Sequence, residues 1–276
     1  MMLEPLRYDF MQNAYAAGTI IGIVVATVGF FVVLRGLTFA GDALAHVGFT
    51  GAAGVILVGL PPIFGMFGLC VLGGVVMGLL GERLRGRDVA IGIVMSFALG
   101  LGALFLSLYT RYATEAFNIL FGTILGVSHQ DLLVTGIAGV FTLIVLGLIA
   151  RPLLFASVDP EVAEARGVPV RFLSALFLVI LALAVAQAVQ VVGILLLLTM
   201  LVGPAATAGY LTHRPGKVVA LAIAIALIET WAGITLAYYN KAPVSFFIAA
   251  ISFALYLLAR YAGPLLVRRT VRANAA

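Results

Sequence analysis

Gly41-Asp42-Ala43-Leu44-Ala45-His46 places a carboxylate and an imidazole four residues apart inside an otherwise apolar run. On a helix that spacing stacks the two side chains on one face, about one turn apart. The chain around it has 276 residues, of which 63% are hydrophobic and 10% charged. A soluble domain carries about 25% charged residues, and no globular core of this length buries so much apolar surface. The fold class is therefore an all-α polytopic membrane protein. In hydrocarbon an ionisable side chain costs about 3 kcal/mol or more, so it faces a cavity or a partner. An Asp oxygen and a His nitrogen are also a fair ligand pair for Mn, Zn or Fe. On these residues alone two readings stand level. Either Asp42 caps the second helix while His46 bonds a neighbouring carbonyl, or the pair meets a metal ion.

Apolar windows near the roughly 20 residues that span a bilayer recur along the chain. They run from about Ala14 to Leu34, Asp42 to Leu60, Ile63 to Leu80, Val89 to Leu108 and Leu132 to Ala150. The stretch from Phe172 to Leu211 is long enough for two more, with Gln187 and Gln190 marking the expected break. Val218 to Tyr239 and Val244 to Leu258 bring the count to about nine, or eight if one window is re-entrant. Gly74 and Gly78 give the third window a GxxxG spacing suited to close helix packing. An outer connection at about 109–130 holds a short apolar piece, Phe117 to Val127, expected to be interfacial or re-entrant. A polar loop from Arg151 to Arg171 follows the fifth window. No long polar linker interrupts this pattern, so residues 1–276 read as one transmembrane domain.

Loop charge orients the chain. Arg35, then Arg83, Arg85 and Arg87, then Arg151, Arg166 and Arg171, then Arg214 and Lys217, then Arg268, Arg269 and Arg272 fall on one side. Arg7, Arg111 and Lys241 fall on the other. The positive-inside rule then puts the N-terminus outside and the C-terminus in the cytoplasm. The net charge of +5 belongs to basic inner loops and implies no nucleic-acid partner. The single Cys70 rules out an intramolecular disulfide and any multi-cysteine metal centre. Glu4 and Asp9, with no basic start before an apolar core, argue against a cleaved signal peptide.

Among the acidic residues, Asp42 and Glu229 fall within spans. Glu229, in Ile228-Glu229-Thr230-Trp231, is a candidate pathway or gate residue, a proton relay, or a neutral hydrogen-bonded acid. His129 in the outer connection and His213 in a basic loop read as solvated. No Ser-His-Asp order, HExxH pair or GxGxxG loop between a strand and a helix is present, so the chain offers no catalytic or nucleotide site. The stretch Val158-Asp159-Pro160-Glu161-Val162-Ala163-Glu164-Ala165-Arg166-Gly167-Val168 carries a start and a stop. Pro160 suits a first helical turn with Asp159 as its N-cap, and Gly167 suits the position that ends it. This short charged helix either joins two spans or docks a soluble partner.

Taken together, these stretches resemble the permease subunits of the manganese/zinc/iron ABC uptake transporters. Leu34-Arg35 followed by Gly41 to His46 is similar to that family's GDALSH-type motif, with Ala45 where Ser is common. Asp88-Val89-Ala90-Ile91-Gly92-Ile93, Leu120-Phe121-Gly122-Thr123-Ile124-Leu125-Gly126, Asp159 to Gly167, and Val192-Gly193-Ile194-Leu195-Leu196 with Pro204-Ala205-Ala206-Thr207-Ala208 match in the same order. The likeness extends from about Asn13 to Leu265. It implies an ATP-driven importer of divalent Mn, Zn or Fe in a bacterial or archaeal cell membrane. The assembly would be a homodimeric permease, two copies of a cytoplasmic ATP-binding subunit, and an extracytoplasmic metal-binding protein. The metal would be cargo, no cofactor would stay bound, and ATP hydrolysis would belong to the partner subunit, so the chain would not be an enzyme. The resemblance also implies that Asp42 and His46 form the intramembrane metal site. It places Asp159, Glu161, Ala163 and Gly167, within about 157–171, in the loop that docks on the ATPase. Tyr239-Asn240-Lys241-Ala242-Pro243-Val244-Ser245 departs from the pattern, since relatives often carry an acidic residue and a Gly after the Pro.

Two other classes compete. A secondary metal-ion transporter or channel would need a coupling-ion site, and Glu229 could hold a proton, but no clear internal repeat supports it. An intramembrane metalloenzyme would want a His-rich set with an activated water and a base, and His46 is the one histidine within a span.

Overall fold

Runs of Leu, Ala, Val and Ile satisfy their backbone hydrogen bonds internally as helices, the form that an apolar solvent demands. The computed structural model describes residues 7–80, 87–108, 121–240 and 242–273, with the side chains of Arg87 and of residues 262–273 left aside. The arginines at 83 and 85, the first part of the outer connection (109–120) and Lys241 lie outside the described residues. Among the described residues, nine helices are long and apolar enough to cross a membrane. They are α1 (Asp9–Leu34), α2 (Thr38–Ile56), α3 (Pro62–Leu80), α4 (Arg87–Ser107), α5 (His129–Val158), α7 (Val170–Val192), α8 (Ile194–Leu211), α9 (Pro215–Asn240) and α10 (Val244–Ala273). A six-residue helix, α6 (Pro160–Ala165), lies between α5 and α7, and one 3₁₀ turn covers Ile124–Gly126.

Helices α1, α2 and α7 bury 67% of their apolar window within the protein, α4 17% and α10 22%. The first three therefore form the centre. α4, α5 and α10 turn Ile93, Phe97, Ile137, Leu148, Phe246 and Phe253 outward. Helix α2 packs against α3, α4, α7 and α8, and α1 packs against α5, α7, α8 and α9. The GxxxG expectation holds: Gly74 and Gly78 let α3 lie against α7. A Cβ at Gly74 would come 2.8 Å from the Leu178 carbonyl oxygen, and one at Gly78 3.2 Å from Ala175.

The corner between α1 and α2 is a tight hydrogen-bonded stop. Gly36 takes a left-handed φ of 64°, its N–H donates to Val33 O (3.2 Å), and Leu37 N–H donates to Val32 O (2.8 Å). The second helix therefore starts at Thr38, a turn earlier than the apolar window suggested.

Two further expectations are corrected. The break between α7 and α8 falls at Gly193, not at Gln187 and Gln190. Gly193 sits at φ 80° and ψ 169°, a region open essentially to glycine alone. The two glutamines stay helical because they find partners sideways on α5. Gln187 Nε2 donates to Thr142 Oγ1 (3.3 Å), and Gln190 Nε2 donates to Asp131 Oδ1 (3.2 Å). Helix α5 also runs on to Val158 through Pro152, where a polar loop from Arg151 was expected. Buried Leu153 and Ala156 anchor that last stretch, which offsets the backbone bond lost at Pro152.

At the far end from α6, the segment after Phe121 lies across the α7–α8 junction. Thr123 N–H donates to Val191 O (3.2 Å), and Gly122 has Val192 and Gly193 so close that no side chain fits there. Asn13 Nδ2 ties the same segment to α1 through Val127 O (3.2 Å), and Ser245 Oγ ties it to α10 through Phe121 O (3.2 Å).

Candidate functional site

Helix α2 is buried along most of its length, with Ala40, Gly41, Ala43, Leu44, Ala45 and Val47 inside. Phe39, Asp42 and His46 break that burial, at the i, i+3, i+7 positions of one face. Phe39 is exposed, and Asp42 and His46 are half-buried. Among the described residues neither the Asp42 carboxylate nor the His46 imidazole forms a hydrogen bond. The capping reading of Asp42 fails on position: the N-cap is Leu37, and Asp42 lies in the second turn, beyond the free N–H groups.

Two neighbours hold α2 at the level of the pair. Cys70 of α3 donates its S–H to Leu44 O (3.2 Å), and Thr50 Oγ1 donates to Ala98 O of α4 (2.6 Å). Sequence reasoning missed both roles. Cys70 reads only as a lone thiol, and its partner lies 26 residues away. One carboxylate oxygen set and one imidazole leave a transition metal short of its usual four to six donors. No three His, Cys, Asp or Glu side chains converge among the described residues. The stripe on α2 alone therefore offers too few donors for such an ion, and it lies on the less buried face of the helix.

Glu229 does not join that pair. It is fully buried on α9, one turn from Gly233, which packs against Ile248 of α10. Ser252 of α10 lies beside it, but neither carboxylate oxygen meets hydrogen-bond geometry. Thr207 and Thr230 are likewise buried with unbonded hydroxyls. His129 and His213 are exposed, as expected of solvated residues.

The short helix α6 matches its sequence signals closely. Asp159 Oδ1 accepts from Val162 N–H (3.0 Å), with Pro160 in the first turn. Gly167 takes a φ of 81°, Gly167 N–H donates to Glu164 O (2.9 Å), and Val168 N–H donates to Ala163 O (3.0 Å). Ala163 faces inward and is fully buried, whereas Glu161 is exposed. A cavity of about 550 Å³ opens beside this helix, lined in part by Arg35, Met77, Glu161, Glu164, Arg171 and Ser174. Sequence reasoning used Arg35 as a loop charge and as the lead-in to the Gly41–His46 motif, with no contact assigned to it. Its guanidinium reaches Ser157 and Ser174, 122 and 139 residues away, and no local pattern announces such contacts.

Comparison with known proteins gives a consistent picture. Residues 7–262 match the ABC 3 transport family. The chain is 33% identical over 260 residues to the manganese transport system membrane protein MntC of Halalkalibacterium halodurans, covering 94% of this chain and 89% of that protein. It is 33% identical over 261 residues to a probable iron transport system membrane protein of Haemophilus influenzae, covering 94% and 95%. Its fold is similar to a chain of PsaBC from Streptococcus pneumoniae, solved in complex with Fab, with a TM-score of 0.83, 30% identity, and coverage of 94% and 95%.

Proposed function

The chain belongs to the ABC 3 transport family as a membrane permease, and on that footing we propose that it forms the ion path of an ATP-driven importer of manganese or iron. Relatives that carry those metals in their names support the cargo class. The observation that carries the reading is the α2 stripe: a carboxylate and an imidazole, half-buried and unbonded, on a helix buried along most of its length. A second copy of the chain, meeting this one along that face, would supply another Asp42 and His46. Two oxygens and two nitrogens would then meet the ion, a set that first-row divalent ions accept. Asp42 would offset the charge of the ion as it sheds water, and His46 would add a softer donor. A site of weak, few ligands releases what it binds, as conduction requires.

The remaining parts follow the same reading. Hydrolysis would occur in two cytoplasmic ATP-binding subunits, each docked on one copy of α6 through Asp159, Glu161, Ala163 and Gly167. An extracytoplasmic binding protein would deliver the metal. The C-terminus would be cytoplasmic and the 109–130 connection external. Single-cysteine labelling at Arg85→Cys in a Cys70→Ala background checks that orientation, and labelling from outside overturns it. Glu229 would serve as a gate or pathway residue apart from the metal pair.

The decisive experiment measures Mn²⁺, Fe²⁺ and Zn²⁺ uptake, in competition, by the complex assembled with its ATPase in lipid vesicles. ATP-dependent accumulation of Mn²⁺ or Fe²⁺ is the expected outcome. Accumulation without ATP would instead favour a secondary transporter with Glu229 as its proton site.

A further inference from the structure

We propose that Arg35 is a positioning residue that ties the root of the docking helix α6 to the metal-bearing helix α2; the inference rests on the importer reading above. Arg35 is the C-cap of α1. Its Nη1 donates to Ser157 Oγ (3.2 Å) in the final turn of α5, and its Nη2 donates to Ser174 Oγ (2.5 Å) in the second turn of α7. Those two helices are the ones that flank α6. The guanidinium also lies 5.7 Å from the centre of the Phe177 ring, within cation–π range. One side chain thus clasps both legs of the hairpin that carries the docking helix.

The polarity of the clasp is fixed. Ser157 Oγ–H donates to Leu153 O (2.5 Å) and Ser174 Oγ–H to Val170 O (2.9 Å) within their own helices. Each hydroxyl oxygen is therefore turned outward as an acceptor, and arginine, a donor only, is the matching partner. A planar fork engages both oxygens at once, which a lysine ammonium on a flexible stem does less well.

On its other side Arg35 is continuous with the rigid corner at Gly36, and Asp42 follows in the second turn of α2. A push on α6 that shifts α5 and α7 must therefore move the α1–α2 corner, or else break the clasp. Arg35 lies in the α1–α2 corner, off the Asp42–His46 stripe. Its work is to make displacement of α6 and displacement of the Asp42–His46 stripe the same event, which is a coupling free energy between two sites.

The test uses the complete complex in lipid vesicles, with ATP hydrolysed and Mn²⁺ imported measured in the same sample. Arg35→Gln should raise the ATP consumed per ion about tenfold, within the range of ordinary coupling energies. Arg35→Lys should recover part of the loss. Should Arg35→Gln fail to assemble, the Ser157→Ala/Ser174→Ala double variant removes both acceptors while leaving the arginine and both helices' backbone bonds in place. It should raise the ratio in the same direction by a smaller factor. Uptake and hydrolysis falling in proportion would reduce Arg35 to a packing residue, and an unchanged ratio in a transporting complex would overturn the inference alone. Absence of metal uptake by the unaltered complex would overturn the importer reading and this inference with it.

Discussion

Two pairs of polar side chains, each in an apolar helix, meet opposite fates. On α7, Gln187 and Gln190 turn sideways and donate to Thr142 and Asp131 of α5. On α2, Asp42 and His46 stand on an outward stripe without a partner among the described residues. The amides weld two helices of one chain together. The carboxylate and imidazole join α2 to no other helix by a hydrogen bond among the described residues. Cys70 and Thr50 fix α2 beside that pair, and the proposed ion path is what would use it, whereas the glutamines, each with one oxygen unpartnered, serve the packing of α5 on α7.

The comparison breaks first, if it breaks, at Asp42. Asp42→Asn keeps the shape of the stripe and removes the charge that offsets a desolvated cation. At membrane depth the loss should be about 3 kcal/mol, on the order of a hundredfold in uptake rate, with the complex recovered intact. Wild-type uptake in that variant would mean the stripe is not the ion site. His46→Gln should do less harm, because a polar oxygen replaces the imidazole. About a tenfold loss, near 1.4 kcal/mol, with a shift in the Mn²⁺ to Zn²⁺ preference, is the outcome that competition assays should find.

A change remote from both pairs sharpens the contrast. Gly167→Val forces a β-branched residue into the left-handed position that ends α6, at about 1–2 kcal/mol. Recovery of the ATPase on affinity purification should fall, or hydrolysis should proceed with reduced uptake. Normal recovery and normal uptake would show that α6 merely joins two spans. The smallest effect belongs to the α7 amides. Gln187→Leu removes one interhelical hydrogen bond, worth about 0.6 kcal/mol in a membrane protein. Thr142 still donates to Ala138 O (2.7 Å). Thermal unfolding in detergent should shift by a degree or two at most, and uptake per complex should stay unchanged. A large loss of uptake there would erase the distinction between the two pairs.

Much of this architecture was legible in the residues. The roughly nine apolar windows correspond to nine long apolar helices among the described residues, because length and composition are what a bilayer span first requires. The cap at Asp159 and the stop at Gly167 were legible because both are local: each depends on residues within one turn. The α7–α8 junction was not. Glutamines read as interruptions to an apolar run, yet at membrane depth a polar side chain with a neighbour within reach stays helical. The real break at Gly193 carries no polar signal, only a backbone angle. At the candidate site, the spacing of Asp42 and His46 was plain, but their half-exposure depended on which helices pack beside α2. Arg35 was least legible of all, since its partners are more than a hundred residues away.

The junction at Gly193 has a mechanical consequence. A single residue separates α7 from α8, so the chain holds no slack between them, and the Phe121–Val127 segment lies bonded across the seam. No loop lies between α7 and α8 in which a displacement of α7 could be absorbed. Helix α8 in turn packs against α1, α9 and α10. With no loop at Gly193 to take up slack, α7 and α8 meet end to end, and the contacts of α8 carry that junction straight into three further helices.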